Sequence, residues 1–322
     1  MTSPIQIQQL SKRYRSGFLI REIRALESVT FDVNQGEIFG FLGPNGAGKT
    51  TAIKILMGLM RPTSGSARVL GSAPDKAAAK RRIGFLPESP YFYEHLSACE
   101  VLKLTAALHG IPRERRRSLI DKMLDTVGLT QAQNGRLGKF SRGMLQRVGI
   151  AQALLHDPEL VILDEPMGGL DPIGRKEFRD IIVGLREQGK TVFFSTHILQ
   201  DVEMICDRVG ILVKGRLVSV GRLDEILSTK VEAVELTVRN IGEAALRASG
   251  AQILQVLPGE DKLLVTVPGE ADADAVLKAL IAQGGKLISL VSRTRTLEDY
   301  FMAQVRGPEI GARGAGKEEQ AK

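Results

Sequence analysis

The sequence is poor in the residues that cross-link a fold or anchor it in a membrane. Its 322 residues include no tryptophan, two cysteines and four histidines, and only 5% are aromatic. Cys99 and Cys206 are far apart and lack metal-type spacing, which argues against a disulfide or a zinc site and indicates reduced, partly buried thiols. No apolar run approaches the roughly 20 residues that cross a bilayer, and residues 1–6 have no signal-peptide layout. We therefore expect a cytoplasmic protein whose membrane role would depend on a partner.

The composition is that of an ordinary globular protein, but its charge is uneven. Hydrophobic residues make up 43% and charged residues 25%, and the length allows two domains, each with its own core. The net charge is +7, and residues 76–147 carry 14 Lys and Arg against 6 Asp and Glu, whereas residues 231–305 carry 7 against 10. The basic segment could face nucleic acid or the anionic cytoplasmic leaflet, and a solvated surface is the default explanation.

The stretch GPNGAGKTT at residues 43–51 is a candidate phosphate-binding loop, or P-loop. A run that predicts a buried strand precedes it, and a run that predicts a helix follows it. Its glycines let backbone N–H groups curl around one anion at a helix N-terminus. Lys49 adds a charge for the β- and γ-phosphates, and Thr50 offers a hydroxyl to Mg²⁺. The residues predicted to bind the nucleotide here are Gly43, Pro44, Asn45, Gly46, Ala47, Gly48, Lys49, Thr50 and Thr51.

Residues 160–165, LVILDE, place two acids at the end of a second buried strand. This pattern is typical of a central parallel strand whose C-terminal edge lies beside a P-loop. We expect Asp164 to hold Mg²⁺ through water and Glu165 to polarise the water that attacks the γ-phosphate. A third strand ends at His197, which is either a structural histidine or a group that faces the nucleotide.

The remaining patterns organise the chain around these strands. Alternating residues at 4–14 and about 24–33 predict an antiparallel edge sheet. Tyr14 ends the first of these strands, where its ring either stacks on adenine or is an ordinary strand-end aromatic. Helical periodicity between the P-loop and the acidic strand predicts a helical subdomain at about 88–150, with helices at residues 96–109, 113–127 and 142–155.

These motifs, in this order, resemble the ATP-binding subunits of ABC transporters over residues 4–225. Residues 140–144, FSRGM, are similar to the signature segment of that family. Ser141 and Gly143 match the serine and second glycine whose role in the family is to cap the γ-phosphate of ATP held by the opposite subunit. Without the resemblance, Ser141 would be only a helix N-cap.

The resemblance also assigns positions outside the signature segment. It puts Tyr14 at the adenine-stacking position, Asp171 in the D-loop that crosses the dimer interface, and His197 at the switch position that contacts the γ-phosphate. Glu88 takes the place of the Q-loop glutamine that reaches Mg²⁺, and a carboxylate can still ligate that ion. Arg142, Met144 and the pair Gly168-Gly169 also depart from the usual pattern, and the sequence offers no explanation for the glycine pair.

The resemblance implies an α/β P-loop ATPase with a mixed sheet core and a helical subdomain. Two such domains, either two copies or a copy and a close relative, would sandwich two ATP molecules with Mg²⁺ and part after hydrolysis. That motion would drive an integral membrane permease, a separate chain that holds the ATPase at the inner face of the cell membrane. The departures and the C-terminal extension are similar to the exporter branch that includes drug-resistance and sodium-extrusion ATPases.

Residues 231–305 predict a small α+β domain. The expected order of strands and helices is βαββαβ, as in ferredoxin-like folds, followed by a last helix at 296–305. The domain is a candidate for regulation or dimer support, and an inert appendage is an equal alternative. Residues 306–322 are rich in glycine and charge, and we expect them to be disordered.

Two other classes of protein compete with the transporter hypothesis. A soluble ABC ATPase that acts on ribosomes or DNA would generally carry two cassettes, zinc cysteines or long coiled coils, whereas this chain has one cassette, isolated cysteines and no heptad run. A P-loop kinase is disfavoured by the adjacent Asp164 and Glu165 and by Ser141. We therefore expect no nucleic-acid partner, and the transported substrate stays undetermined by this chain.

Overall fold

The computed structural model describes residues 3–16, 21–226, 231–258, 262–294 and 296–306. The strands are β1 (Ile5–Ser16), β2 (Arg21–Val33), β3 (Ile38–Leu42), β4 (Ser64–Val69), β5 (Ile83–Leu86), β6 (Leu160–Asp164), β7 (Thr191–Thr196), β8 (Arg208–Val213), β9 (Arg216–Arg222), β10 (Val231–Arg239), β11 (Gln255–Pro258), β12 (Lys262–Val267) and β13 (Lys286–Thr294). The helices are α1 (Lys49–Leu56), α2 (Ala77–Lys80), α3 (Ala98–Leu108), α4 (Arg113–Thr126), α5 (Arg142–Leu154), α6 (Pro172–Glu187), α7 (Leu199–Ile205), α8 (Leu223–Ile226), α9 (Glu243–Arg247), α10 (Glu270–Ala282) and α11 (Leu297–Arg306). Two units result, Met1–Leu223 and Asp224–Lys322.

A six-stranded sheet with the order β5-β6-β7-β3-β8-β9 forms the centre of the first unit. Its first five strands are parallel, and β9 pairs antiparallel with β8. Every residue of β3, β6 and β7 is buried, which explains why these strands read as nearly continuous apolar runs. The alternation along each strand sends successive side chains into two different cores.

One of these cores lies between the central sheet, α1 and the antiparallel sheet β2-β1-β4. It is built around four phenylalanines, in which the rings of Phe31 and Phe39 stack with centroids 5.2 Å apart and those of Phe39 and Phe193 with centroids 5.7 Å apart. The predicted antiparallel edge sheet is therefore present, although β1 continues past Tyr14 to Ser16.

The second core joins the other face of the central sheet to α3, α4, α5 and α6. The three helices predicted between the P-loop and the acidic strand are α3, α4 and α5. A capping box starts α3, because the Ser97 hydroxyl accepts from the Glu100 N–H and the Glu100 carboxylate accepts from the Ser97 N–H. Helix α6 was not predicted, and it buries Phe178, Ile182 and Leu185 on one face.

The second unit has the predicted βαββαβ order and a final helix. Its four antiparallel strands have the order β11-β12-β10-β13. Alternate residues of β10, namely Val234, Leu236 and Val238, pack with Leu246 of α9 and Val276 of α10. The tail predicted to be disordered lies outside the described residues, apart from Arg306 at the end of α11.

Cys99 and Cys206 are free thiols, as predicted. Burial raises the pKa of the Cys206 thiol well above its usual value. Among the helices that the structure describes, none combines the length and the apolar character that a membrane span requires.

We expect His156 to make the first unit sensitive to acid. Its ring stacks on His109 with centroids 4.0 Å apart, and its Nε2 lies 3.1 Å from the Ile83 carbonyl oxygen. Burial, with a smaller effect from His109, lowers the pKa of His156 to about 4 from the ordinary 6.5. Between these two values the unfolded chain binds the proton and the folded chain does not, so lowering the pH through this window destabilises the fold.

We therefore expect the variant His156→Gln to lose less stability than the wild type when the pH is lowered from 6.5 to about 4. The slope attributable to this ring should stay below about 1.4 kcal/mol for each pH unit, because the unfolded chain binds at most one more proton at this ring than the folded chain does. Urea unfolding at a series of pH values measures the difference. Identical slopes for the two proteins would contradict the assignment.

Candidate active site

Three neighbouring strands of the central sheet, β6, β7 and β3, deliver the predicted site residues to one edge. These strands are parallel, so their carboxyl ends meet at the same side of the sheet. The P-loop follows β3, Glu165 follows β6 and His197 follows β7.

The P-loop backbone needs glycine at two places where the chain passes close to other backbone. A Cβ on Gly48 would lie 2.2 Å from the Ala25 carbonyl oxygen, and Gly48 has a φ of +111°. A Cβ on Gly43 would lie 2.4 Å from the Leu212 carbonyl oxygen. The missing side chains therefore let the loop curl tightly into the start of α1, where N–H groups converge.

Lys49, the first residue of α1, places a positive charge inside this loop. The residue is only 5% exposed. Its ammonium group donates to the carbonyl oxygens of Gly43 at 2.7 Å and Pro44 at 3.2 Å, and it forms an ion pair with Glu165 at 3.0 Å. A buried charge requires such partners, and phosphate oxygens are partners of the same chemical kind.

The Asp164 carboxylate is held by two hydroxyl groups. Its Oδ1 accepts hydrogen bonds from Ser195 Oγ at 2.6 Å and from Thr50 Oγ1 at 3.3 Å. Burial raises the pKa of Asp164, opposed by these hydrogen bonds, while the charges of Glu88 and Glu165 raise it further. The charged form of this carboxylate is therefore one that a nearby cation would stabilise.

The oxygen donors around Asp164 fit Mg²⁺. This ion prefers hard oxygen ligands and commonly takes one or two protein carboxylates together with substrate phosphates. The Thr50 hydroxyl and the Asp164 carboxylate are adjacent, and Glu88 lines the same cleft. These three residues are the candidates to hold the metal.

Ser195 was missed by the sequence analysis. It is completely buried in β7, and its hydroxyl donates to Asp164 while accepting from the Glu165 N–H at 2.9 Å. One residue thus fixes both predicted acids. The role of Ser195 could have been inferred from the pairing of β6 with β7, because this pairing places Ser195 opposite Asp164.

The Glu165 carboxylate lies between the ammonium group of Lys49 and the ring of His197. One carboxylate oxygen is paired with Lys49, and the other lies 2.9 Å from His197 Nδ1. Its φ of +47° is uncommon for a residue with a side chain, which indicates that the surrounding contacts fix this conformation. A carboxylate held in this way can orient a water molecule and accept its proton.

A cleft of about 580 Å³ brings most of the predicted residues together. Tyr14 lies in it, with its hydroxyl 3.3 Å from Thr51 Oγ1 and 3.1 Å from Met60 Sδ. Predicted site residues that line the cleft are Tyr14, Asn45, Gly46, Ala47, Gly48, Lys49, Thr50, Thr51, Glu88, Glu165 and His197. Unpredicted residues that line it include Arg142, Gly168 and Gly169.

Six predicted site residues are not part of the cleft lining. Gly43, Pro44 and Asp164 are nevertheless bonded to lining residues, since the first two accept from Lys49 and Asp164 accepts from Thr50. The other three are cap or first-turn residues of α5 and α6. Ser141 caps α5, where its hydroxyl accepts from the Met144 N–H at 3.2 Å, and Asp171 caps α6, where its carboxylate accepts from the Gly174 N–H at 2.8 Å. Gly143 is in the first turn of α5. A single chain therefore does not bring Ser141, Gly143 and Asp171 to the cleft that Lys49 and Glu165 line.

Comparison with known proteins identifies the family. A model described as ABC transporter matches residues 26–168. An ABC transporter ATP-binding protein from Synechocystis is 44% identical over 305 residues, which cover 94% of this chain and 84% of that protein. The chain belongs to the ABC transporter family of ATP-binding proteins. The bacitracin transport ATP-binding protein of Bacillus licheniformis is 37% identical over 315 residues, which cover 97% of this ABC protein and 100% of that relative.

A solved structure supports the same conclusion. It is a dimeric ATP-binding cassette in a post-hydrolysis state with ADP and Pi, 26% identical, covering 68% of this ABC protein and 98% of that chain with a TM-score of 0.63. The ABC protein is thus an ATP-binding and ATP-hydrolysing subunit of a transporter, with relatives of the drug-resistance type. The predicted fold class, family and enzyme class are confirmed.

The variant Ser195→Ala should hydrolyse ATP about 10- to 100-fold more slowly, because Asp164 and the Glu165 N–H both lose a buried partner. Its matched control is Thr191→Val at the other end of β7, where the hydroxyl accepts from the Gly36 N–H. Both variants should lose about 1–3 kcal/mol of unfolding free energy. Steady-state ATPase rates and urea unfolding measure the two effects. A wild-type kcat in Ser195→Ala would contradict the role of this residue.

Proposed function

We propose that this protein powers export through a separate membrane permease, by closing with a second ATPase subunit around two ATP molecules. That subunit is a second copy of this chain or a close relative. The proposal rests on where the predicted site residues lie, since some line the cleft of one chain and others lie outside it. The cleft of one chain holds the P-loop, Glu165 and His197, whereas Ser141, Gly143 and Asp171 lie outside it. A second subunit would supply these three residues to complete each site.

The residues of the cleft have distinct tasks in this proposal. The P-loop N–H groups and Lys49 bind the phosphates, and Tyr14 stacks on the adenine ring. Bound phosphate competes with Glu165 for Lys49, so the carboxylate becomes available to accept a proton from water when ATP is in place. His197 keeps that carboxylate in position, and it would contact the γ-phosphate.

Mg²⁺ would be held by Thr50, Asp164 and Glu88, and it would neutralise charge on the phosphate oxygens. Ser195 orients the Asp164 carboxylate for that task. From the partner subunit, the Ser141 hydroxyl and the N-terminus of α5 would cap the γ-phosphate.

We base the proposed transport role on the relatives of this protein. The bacitracin transport protein is similar along its full length, which supports an exporter whose substrate is selected by the permease. The permease would hold this subunit at the inner face of the cell membrane. The basic segment 76–147 would face the permease and the anionic leaflet, and we expect no nucleic-acid partner.

The variant Glu165→Gln tests the catalytic assignment. It keeps the size and a hydrogen-bonding side chain but cannot accept the proton of water, so we expect a kcat at least about 100-fold lower with ATP binding retained. With ATP and Mg²⁺ the purified variant should form a stable dimer in light scattering, since hydrolysis no longer separates the copies. Unchanged turnover would show that another group activates the water.

The permease is tested by copurification of tagged Glu165→Gln with ATP from native membranes in mild detergent. We expect an integral membrane protein with several spans to be retained, and its retention should fall when ATP is replaced by ADP. Recovery of ribosomal proteins or DNA-repair factors without a membrane protein would contradict the exporter proposal.

A further inference from the structure

We propose that Arg142 is a positioning residue that joins the signature segment, residues 140–144, to the D-loop, residues 168–171. Through this contact, the capping of one ATP would set the geometry of the other ATP site. The inference rests on the proposed function, because only in the two-subunit arrangement does the signature segment act on the partner's ATP.

The Arg142 guanidinium lies flat against Gly169. A Cβ built on Gly169 would be 2.8 Å from Nη1, 3.0 Å from Cζ and 3.2 Å from Nε of Arg142. Three atoms of one planar group at nearly equal distance show that its face, and not its edge, approaches the glycine. Gly168 is next to the same group, since its Cβ would be 4.0 Å from Nη2.

This contact explains the glycine pair that the sequence left unexplained. Gly169 has a φ of +74°, a conformation that residues with side chains rarely adopt, and any side chain there would also collide with Arg142. Arg142 stands where the family usually has glycine, and Gly168-Gly169 stand where it usually has other small residues. The two departures are therefore complementary, and each accommodates the other.

A second contact runs beside the first. A Cβ on Gly143 would lie 3.3 Å from Leu170 Cδ2. Two successive residues of the signature segment thus touch two successive residues of the D-loop, Arg142 on Gly169 and Gly143 on Leu170. The D-loop is in turn tied to the main chain of the proposed catalytic residue, because the Gly168 N–H donates to the main-chain carbonyl oxygen of Glu165 at 3.1 Å.

The Arg142 charge is not committed to a carboxylate. Across the residues that the structure describes, its guanidinium takes part in no hydrogen bond and no ion pair. The same side chain lines the cleft that contains Lys49 and Glu165. Two roles follow from this placement: the planar group positions the D-loop by packing, or the charge binds phosphate directly. The face-on contact with Gly169 favours positioning.

A double-mutant cycle on the full-length chain tests the contact itself. Gly169→Ala should lower the ATPase kcat about tenfold or more in the presence of Arg142, because the new methyl group displaces the guanidinium and the D-loop. In the Arg142→Ala background the same change should lower kcat only about twofold further. The control Gly189→Ala has a similar φ of +79° but nothing within 4 Å of its Cβ, and so measures backbone strain alone.

Thermal unfolding of the same variants provides a readout that does not depend on activity. Gly169→Ala should lower the Tm more than Gly189→Ala does, and Arg142→Ala should restore most of that difference. If Gly169→Ala has the same effect on Tm and kcat in both backgrounds, the two residues are not coupled and the proposal is wrong.

The affinity for ATP and ADP distinguishes a positioning role of Arg142 from direct binding of phosphate. We expect Arg142→Ala to lower kcat about tenfold and to reduce the cooperativity of hydrolysis in ATP, while the Kd of the single subunit for ATP and ADP stays within about twofold of wild type. Arg142→Lys keeps the charge but not the planar group, and should behave like Arg142→Ala. A weaker Kd in Arg142→Ala, restored by lysine, would show that the charge binds phosphate and would overturn the proposal.

The wild-type chain distinguishes a failure of this inference from a failure of the proposed function. If the wild type hydrolyses ATP and forms an ATP-dependent dimer but the cycle shows no coupling, only the inference fails. A wild type that does neither would contradict the two-subunit mechanism, whatever the result of the cycle.

Discussion

The buried charge of Lys49 is the constraint on which the rest of the site depends. An ammonium group that is 5% exposed is stable only when oxygen atoms surround it. The carbonyl oxygens of Gly43 and Pro44 and the carboxylate of Glu165 meet this need, and in doing so they tie the P-loop to the end of β6. The group proposed to bind phosphate and the group proposed to activate water are therefore held 3.0 Å apart.

The parts of this arrangement that depend on local sequence could be predicted. Glycines at 43, 46 and 48 followed by Lys49 after a buried strand predict a phosphate-binding loop, and the pair Asp164 and Glu165 ends an apolar run that is typical of a central parallel strand. The βαββαβ order of the second unit followed from the same reasoning about periodicity and turns. Because parallel strands have their carboxyl ends at the same edge of the sheet, the grouping of the site residues could also be predicted.

The parts that depend on contacts between distant segments could not be predicted. Ser195 is one polar residue inside a buried strand, and its role became visible only when the register placed it opposite Asp164. The glycine pair at 168–169 had no explanation until the packing of α5 laid the Arg142 guanidinium on it. In both cases the deciding partner is many residues away. Helix α6 is different, because Phe178, Ile181, Ile182 and Leu185 form a clear apolar stripe at helical spacing that the sequence analysis overlooked.

The central claim of this account is that each ATP is bound by the Lys49 of one copy and capped by the Ser141 of another. Mixing two purified variants, Lys49→Ala and Ser141→Ala, tests it most directly, because each variant alone leaves both sites of its dimer defective. In a mixed dimer one site has neither group and the other has both. We expect the mixture to recover ATPase activity, up to about a quarter of the wild-type rate for random pairing of two copies. No recovery, from variants shown to exchange subunits, would contradict the account.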